Sequence, residues 1–425
     1  MRSPRDTINA RIGRVEFTFL ISMIMAVVAL AIDVLLPAFA DMRVDFALPS
    51  DSNALAPIVT FFFLGLALGQ LLWGPLSDAL GRKRILYAGL AVYVAAALAA
   101  VFAPSLGVVF ALRFIGGVGA AGPRVVALSV VRDTFEGEAM ARVMSYIMSI
   151  FILVPIIAPS IGSLALVVGS WQLVFVIIAA FGIAVGLWSL RLPETLDPSQ
   201  RIPLNFKRLS AAGAAVVTSR FAMSLTLAQT ALFGFFASYL ASSQLIVDDV
   251  FDLEAWFPLI VGGSAALIGI GMLVNTRLLN VMSMRIILRG VFITYVVAAS
   301  ALVVVAVLTD GHPSLLAFLV ALCPMLFAHA LLIPNLNAAA LVPMGAIAGT
   351  AAAIIGTIST LGGAVIGALI DSTYNGTITP LAVSALVAAL TALGLFRWAD
   401  SVWDSTVSVE PSVVEAESRP GLPPS

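Results

Sequence analysis

Residues 74–84 read Gly74-Pro75-Leu76-Ser77-Asp78-Ala79-Leu80-Gly81-Arg82-Lys83-Arg84, a short polar and basic turn between two long apolar runs. Glycine permits a tight turn, and a carboxylate near a helix end has electrostatic support. Three consecutive cations mark the cytoplasmic side of a membrane crossing. The stretch therefore reads as a place where the chain leaves a bilayer, turns and re-enters it.

The rest of the chain agrees. Of 425 residues, 61% are hydrophobic and 11% charged, with a mean hydropathy of +1.08. A helix needs about 20 apolar residues to cross the hydrocarbon core. Twelve such runs are predicted, near 15–38, 54–75, 85–103, 106–130, 142–168, 171–190, 217–241, 257–276, 286–308, 314–337, 346–370 and 378–397. The narrowest divisions are at 103–106 and 168–171. A soluble fold has no room to hide twelve runs of this kind. The expected fold class is an all-α integral membrane protein with two six-helix bundles.

The net charge of −1 says little, but its distribution does. With the N-terminus in the cytoplasm, every Lys and Arg falls in a cytoplasmic segment except Arg43, Arg113 and Arg124. The external loop expected over 242–256 is acidic instead, with Asp248, Asp249, Asp252 and Glu254. The positive-inside rule thus predicts that both termini are cytoplasmic. The most polar interruption, 192–216, divides six spans from six, a layout of transporters built from repeated halves. The expected organisation is a cytoplasmic segment 1–14, a bundle 15–191, a cytoplasmic linker 192–216, a second bundle 217–397 and a cytoplasmic, disordered tail 398–425.

Several signals are set aside. Ala38-Phe39-Ala40 resembles a signal-peptide cleavage site, but the preceding run is too long and contains Asp33. Gly117 to Gly122 formally matches a dinucleotide fingerprint, yet it lies inside a span with no strand before it. Gly65 and Gly69, Gly182 and Gly186, and Gly363 and Gly367 have helix-packing spacing. Cys323 is the sole cysteine, so no disulfide forms within the chain. Its apolar surroundings favour an inert packing role. No spacing suggests a metal site, a nucleophile–base pair or a phosphate cradle. The expectation is a monomeric non-enzyme without cofactor or metal, whose partners are lipid, a small organic substrate and protons, with no nucleic acid.

Charges inside spans carry the functional reading. A carboxylate or guanidinium at a helix centre costs about 2.5–3.5 kcal/mol on insertion scales. Asp33 and Arg113 sit at matching depth, roughly 8–11 Å below the outer boundary at 1.5 Å per residue. They are expected to face each other, as a packing ion pair or as a proton site. A nearby cation and a dry environment act oppositely on a carboxyl, so alternating the two would load and release a proton. Arg124 lies eleven residues after Arg113, close to the same face, and is expected to line a water-filled cavity. Gln229, His329, Asn335 and Asn337 are the matching polar groups of the second half. Asn275, Thr276 and Arg277 are expected only to face the interface. Aromatic and Met side chains such as Phe61, Phe62, Phe63, Met144, Met148, Phe233, Phe235 and Phe236 suit an adaptable pocket.

These residues resemble the major facilitator superfamily over about residues 12–397, and within it the drug:proton antiporters of the Bcr/CflA type. Asp33-Val34-Leu35-Leu36-Pro37-Ala38 is similar to that group's Asp-x-Tyr-Leu-Pro-Ala. Gly74 through Lys83 is similar to the superfamily's loop between helices 2 and 3. Arg113-Phe114, the following glycines and Val131-Arg132-Asp133 resemble its helix 4 signature. Ala158-Pro159-Ser160-Ile161-Gly162-Ser163 resembles the antiporter motif of helix 5, and Ala348-Gly349-Thr350-Ala351 resembles helix 11. The resemblance implies alternating access, proton exchange and export of small organic molecules from the bacterial inner membrane. It would place Gly74, Asp78, Gly81, Arg82, Lys83, Pro159 and Gly162 in gating, and Asp33 and Arg113 at the proton site. Apart from the resemblance, the polarity of Arg124, Gln229, His329 and Asn335 inside their spans is what assigns them to the substrate cavity. Ala79, Leu35, Ala158, Ser163 and Arg124 depart from the pattern, and an extra buried arginine suits an anionic or zwitterionic ligand. The alternatives are a proton-symport importer on the same fold and a non-transporting membrane receptor.

Overall fold

All twelve apolar runs fold into helices long enough to cross a bilayer in a computed structural model, which describes residues 12–49, 52–135, 137–204 and 206–404. In chain order they are α1 (Arg14–Asp45), α2 (Pro57–Leu80), α3 (Arg82–Ala100), α4 (Leu106–Thr134), α5 (Arg142–Val168), α6 (Gln172–Arg191), α7 (Arg220–Asp249), α8 (Glu254–Leu278), α9 (Met284–Leu308), α10 (Leu315–Gly345), α11 (Ala348–Asp371) and α12 (Thr379–Ser401). An even number of crossings returns the chain to the side where it began. That side carries the Arg82–Arg84 turn and is hereafter the basic face; the other, with Asp248, Asp249 and Asp252, is the acidic face.

Two hydrophobic cores follow the two halves of the chain. One is built almost wholly from residues 12–192 and the other from residues 212–403. The halves meet where α2 lies on α11 and α5 lies on α8. These two contacts exchange under a shift of six helices, as a repeated six-helix unit requires. Glycines set the closest approaches within the first bundle. A methyl at Gly117 would overlap the Phe62 carbonyl, and one at Gly119 the Tyr93 backbone. The dinucleotide-like run is therefore helix packing.

Three boundaries differ from expectation. Segment 192–216 is not a plain loop, because Phe206–Thr218 forms a helix that buries Ala212 and Val216 and leaves Lys207 and Ser210 exposed. Helix α7 runs past 241 to Asp249, since Ser242, Ser243 and Gln244 are buried rather than solvated. The segment expected as disordered from 398 is ordered through 404. Arg285 of α9 bonds Asp400 and Asp404, Arg289 reaches Asp400 at 2.7 Å, and Trp403 packs edge-on against Phe221. Arg2, Arg5, Arg11, Arg419 and the tail beyond 404 lie outside the described residues.

Candidate functional site

Helix α1 is broken at Asp33. Its regular α-helix runs from Arg14 to Asp33, a 3-10 turn follows at Leu36–Ala38, and a short helix spans Phe39–Asp45. Pro37 in that turn has no N–H to continue the ladder. The break releases backbone carbonyls within the membrane, where they need packed neighbours. Helix α5 is the neighbour at Val34. Gly162 lies so close that an added Cβ would overlap the Val34 carbonyl oxygen and sit 3.1 Å from Pro37 Cγ. Pro159, one turn earlier, is buried inside α5, whose own interruption falls at Ile152. The Asp33 motif and the Pro159–Gly162 motif, separate in sequence, thus form one contact.

Asp33 is 7% exposed and has no hydrogen bond or ion pair among the described residues. The expected pair with Arg113 is not formed. Arg113, 4% exposed, donates from Nη2 to the Ala31 carbonyl at 3.0 Å and from Nε to Ile58 O at 3.4 Å. Its guanidinium also lies over the Phe62 ring, 4.3 Å from the centroid. Arg113 and the Asp33 segment lie at one level of the bundle, but the freed carbonyl competes with the carboxylate for the guanidinium. Arg113 therefore braces the backbone two residues before Asp33. Across the bundle interface, Tyr239 of α7 lies within electrostatic reach of Asp33.

At the basic face the turn builds a network. Arg82, 4% exposed, binds Asp78 Oδ1 and Ser77 Oγ through Nη1. Its Nε reaches Asp133 Oδ2 at 2.8 Å and its Nη2 reaches Asp133 Oδ1 at 3.3 Å, a two-armed contact with the end of α4. Gly81 has φ 103°, a conformation that favours glycine, and a Cβ there would strike Glu194. The Glu194 carboxylate accepts the backbone N–H groups of Arg82, Lys83, Thr195 and Leu196, capping α3 from 112 residues away. Thr195 Oγ1 adds a bond to Asp133, and Lys83 Nζ reaches Leu190 O. Gly74 stands apart: nothing lies within 4 Å of where its Cβ would be. Asp133 and Glu194 were missed as site residues by sequence reading, although both lie in segments it singled out.

The second half brings some of its polar residues to the interface. Gln229, Phe233 and Phe236 lie on one face of α7, and Phe233 meets Phe63 of α2 edge-on, with centroids 5.1 Å apart. His329 of α10 stacks on Phe236 at 4.9 Å. Gln229 Nε2 and His329 Nδ1 are buried without a partner among the described residues, as are Gln70 Nε2 and Ser359 Oγ at the α2–α11 contact. Asn335 does not join them. Its Nδ2 donates to Asn275 Oδ1 at 2.6 Å and to Leu331 O, so it ties α10 to α8, and Asn275 is buried there too. Arg124 is half-buried on α4 with no ion pair among the described residues. An apolar groove of about 560 Å³ lies instead between α8 and α10, lined by Leu253, Trp256, Leu259, Leu319 and Cys323.

Hydrogen bonds between the halves concentrate at the acidic face. Arg43 Nη2 reaches Gln244 Oε1, and Asn53 Nδ2 donates to Ser242 Oγ at 3.2 Å and to Asp371 O at 3.0 Å. Deeper in, Thr357 Oγ1 donates to Ala67 O at 3.1 Å. No side-chain hydrogen bond joins the halves at the basic face among the described residues. The arrangement is thus latched at its acidic end.

Comparison with known proteins now identifies the family. Residues 21–367 match the Major Facilitator Superfamily, and the chain belongs to it. It is similar to the uncharacterized MFS-type transporter YdgK of Bacillus subtilis, 24% identical across 90% of this chain and 95% of that protein. It is also similar to a bicyclomycin resistance protein homolog of Haemophilus influenzae, 27% identical across 82% and 87%. With the multidrug resistance protein MdtL of Salmonella heidelberg it shares 32% identity across 46% and 51%. Among solved structures it shares the fold of a D-xylose–proton symporter, with TM-score 0.70 and 11% identity over 88% and 97% of the two chains. The human organic anion transporter MFSD10 gives TM-score 0.61 at 18% identity over 91% and 100%.

Proposed function

We propose that this member of the major facilitator superfamily is a proton-driven exporter of small organic molecules in the bacterial inner membrane, working by alternating access. The observation that carries the reading is Asp33, a buried carboxyl without a counter-charge among the described residues, at the break of α1 beside the contact of Val34 with Gly162 of α5 and within electrostatic reach of Tyr239 of the other half. A carboxyl in that place meets different surroundings each time the halves rock. The bicyclomycin- and multidrug-resistance relatives support export as the direction. The basic face is taken as cytoplasmic, so the acidic-face latch closes the external side.

In this cycle the Asp78–Arg82–Asp133 network stiffens the cytoplasmic ends of α2, α3 and α4 as the halves separate and rejoin. Arg124 of the first half, together with Gln229 and His329 of the second, recognises an anionic or zwitterionic substrate rather than a lipophilic cation. One charge crossing 100 mV supplies about 2.3 kcal/mol, sufficient for roughly a fiftyfold gradient. The test is transport by purified protein in liposomes with an imposed pH gradient, using amphenicols, cationic dyes, amino acids and organic anions. Substrate movement opposite to protons supports the reading. Movement with protons makes the protein a symporting importer, and ligand binding without flux makes it a receptor.

A further inference from the structure

A second carboxylate is buried in the spanning region, and the reading above does not use it. Asp371, the last residue of α11, is 7% exposed. Gly367, one turn earlier, lets α11 close on the Gly234 carbonyl and Ser238 N–H of α7. That approach delivers Asp371 to two hydroxyls. Ser238 Oγ donates to Oδ1 at 2.6 Å and Ser242 Oγ donates to the same oxygen at 2.9 Å. Oδ2 is buried with no partner among the described residues.

Among the described residues the surroundings supply no counter-charge. Arg43, the cation at this end, bonds Gln244 and the Ser52 carbonyl, and lies within electrostatic reach of Asp248, Asp249 and Glu254. Helix α7 presents Ser238, Ser242 and, beyond them, Tyr239, Asp248 and Asp249. The adjoining halves of α2 and α12 carry no charged residue. Tyr374, just past α11, donates its hydroxyl to Asp249 at 3.1 Å. An ionised carboxylate buried without a cation is costly, and such a group neutralises instead.

The same cluster holds the two halves together. Asn53 of the first half donates to Ser242 Oγ and to the main-chain oxygen of Asp371 itself. We propose that Asp371 is a second proton-binding residue, carrying a proton on Oδ2 while the acidic-face latch is closed. When the halves part at this end, water reaches the carboxyl, its O–H bond breaks heterolytically and the proton passes to the external medium. Reclosure requires a proton to be taken up again. The inference rests on the transport reading only in that the acidic face opens during the cycle; Asp33 is a separate site.

The experiment measures the distance between spin labels at Val44→Cys and Thr373→Cys, both exposed positions at the acidic face on opposite halves, in a Cys323→Ala background in lipid vesicles. Between about pH 5 and pH 9 the parent protein should move from a short-distance to a long-distance population. Asp371→Asn, which cannot ionise, should remain short throughout, while Asp33→Asn should keep the parental response. A parental response retained in Asp371→Asn, or no response in the parent, overturns the proposal. If only Asp33→Asn abolishes it, the gate is governed by the first carboxyl and this inference falls alone. Should Asp371→Asn fail to insert, the Ser238→Ala/Ser242→Ala variant decides: a midpoint moved by about half a pH unit supports the proposal, and an unmoved one overturns it. A response to sodium at fixed pH in place of the response to protons also overturns it.

Discussion

Gly162 and Val34 are in direct apposition: the carbonyl oxygen of Val34, one residue past Asp33, occupies the space that any side chain at position 162 would need. The contact joins α5 to the break in α1, one residue past Asp33. It predicts that Gly162→Ala displaces the break. Overpacking of this kind costs about 1–3 kcal/mol, so the melting temperature in detergent should fall and transport should drop sharply. Gly74→Ala, placed where nothing lies within 4 Å, should change neither. Equal effects of the two substitutions would show that the apposition does not matter.

Arg82 is held by Asp78, Ser77 and both oxygens of Asp133. A lysine keeps the charge but not the fork. Arg82→Lys should therefore impair transport nearly as much as Arg82→Ala. In a double-mutant cycle, Arg82→Ala and Asp133→Ala should show a coupling of about 1–3 kcal/mol in unfolding free energy. Additive effects would remove Asp133 from the network.

Asn335 spends its amide on Asn275, within one half of the molecule. Asn335→Ala and Asn275→Ala should each lower thermal stability, and together by less than the sum, because either change leaves the other amide without its partner. The ranking of substrates in the transport assay should stay the same. A changed ranking would return Asn335 to the substrate cavity.

Arg124 should decide which charge the substrate carries. Arg124→Gln is expected to raise KM for anionic or zwitterionic substrates about tenfold, a loss of about 1.4 kcal/mol, with kcat and the KM for neutral substrates little changed. A uniform fall in kcat for all substrates would make Arg124 a packing residue.

How far the sequence discloses this molecule depends on the range of each interaction. The twelve crossings and the turn at 74–84 are local properties of hydropathy and charge, and they are legible without coordinates. Depth is also local, which is why Asp33 and Arg113 fall at the same level. Their failure to pair is not written in the spacing, because the carbonyl of Ala31 is free for Arg113 only where the backbone tightens at the break and Leu35 N–H bonds Ile32 O instead. Glu194 caps a helix that begins 112 residues earlier, and Asn53 reaches Asp371 across 318 residues. Neither has a spacing that a sequence pattern records. Ser242 and Gln244 look like loop residues in the sequence, but Asn53 and Arg43 engage them and α7 continues to Asp249. Asp400 and Asp404 read as part of a polar tail for the same reason, since Arg285 and Arg289 are over a hundred residues away.

The central claim is that Asp33 carries the proton exchanged for substrate. The most direct measurement is pH-gradient-driven substrate movement in liposomes, run with Asp33→Asn beside the parent protein and with counterflow as the control for binding and gating. Loss of gradient-driven movement in Asp33→Asn, with substrate counterflow retained, is the result the account predicts. Gradient-driven movement at the parental rate in Asp33→Asn would contradict it.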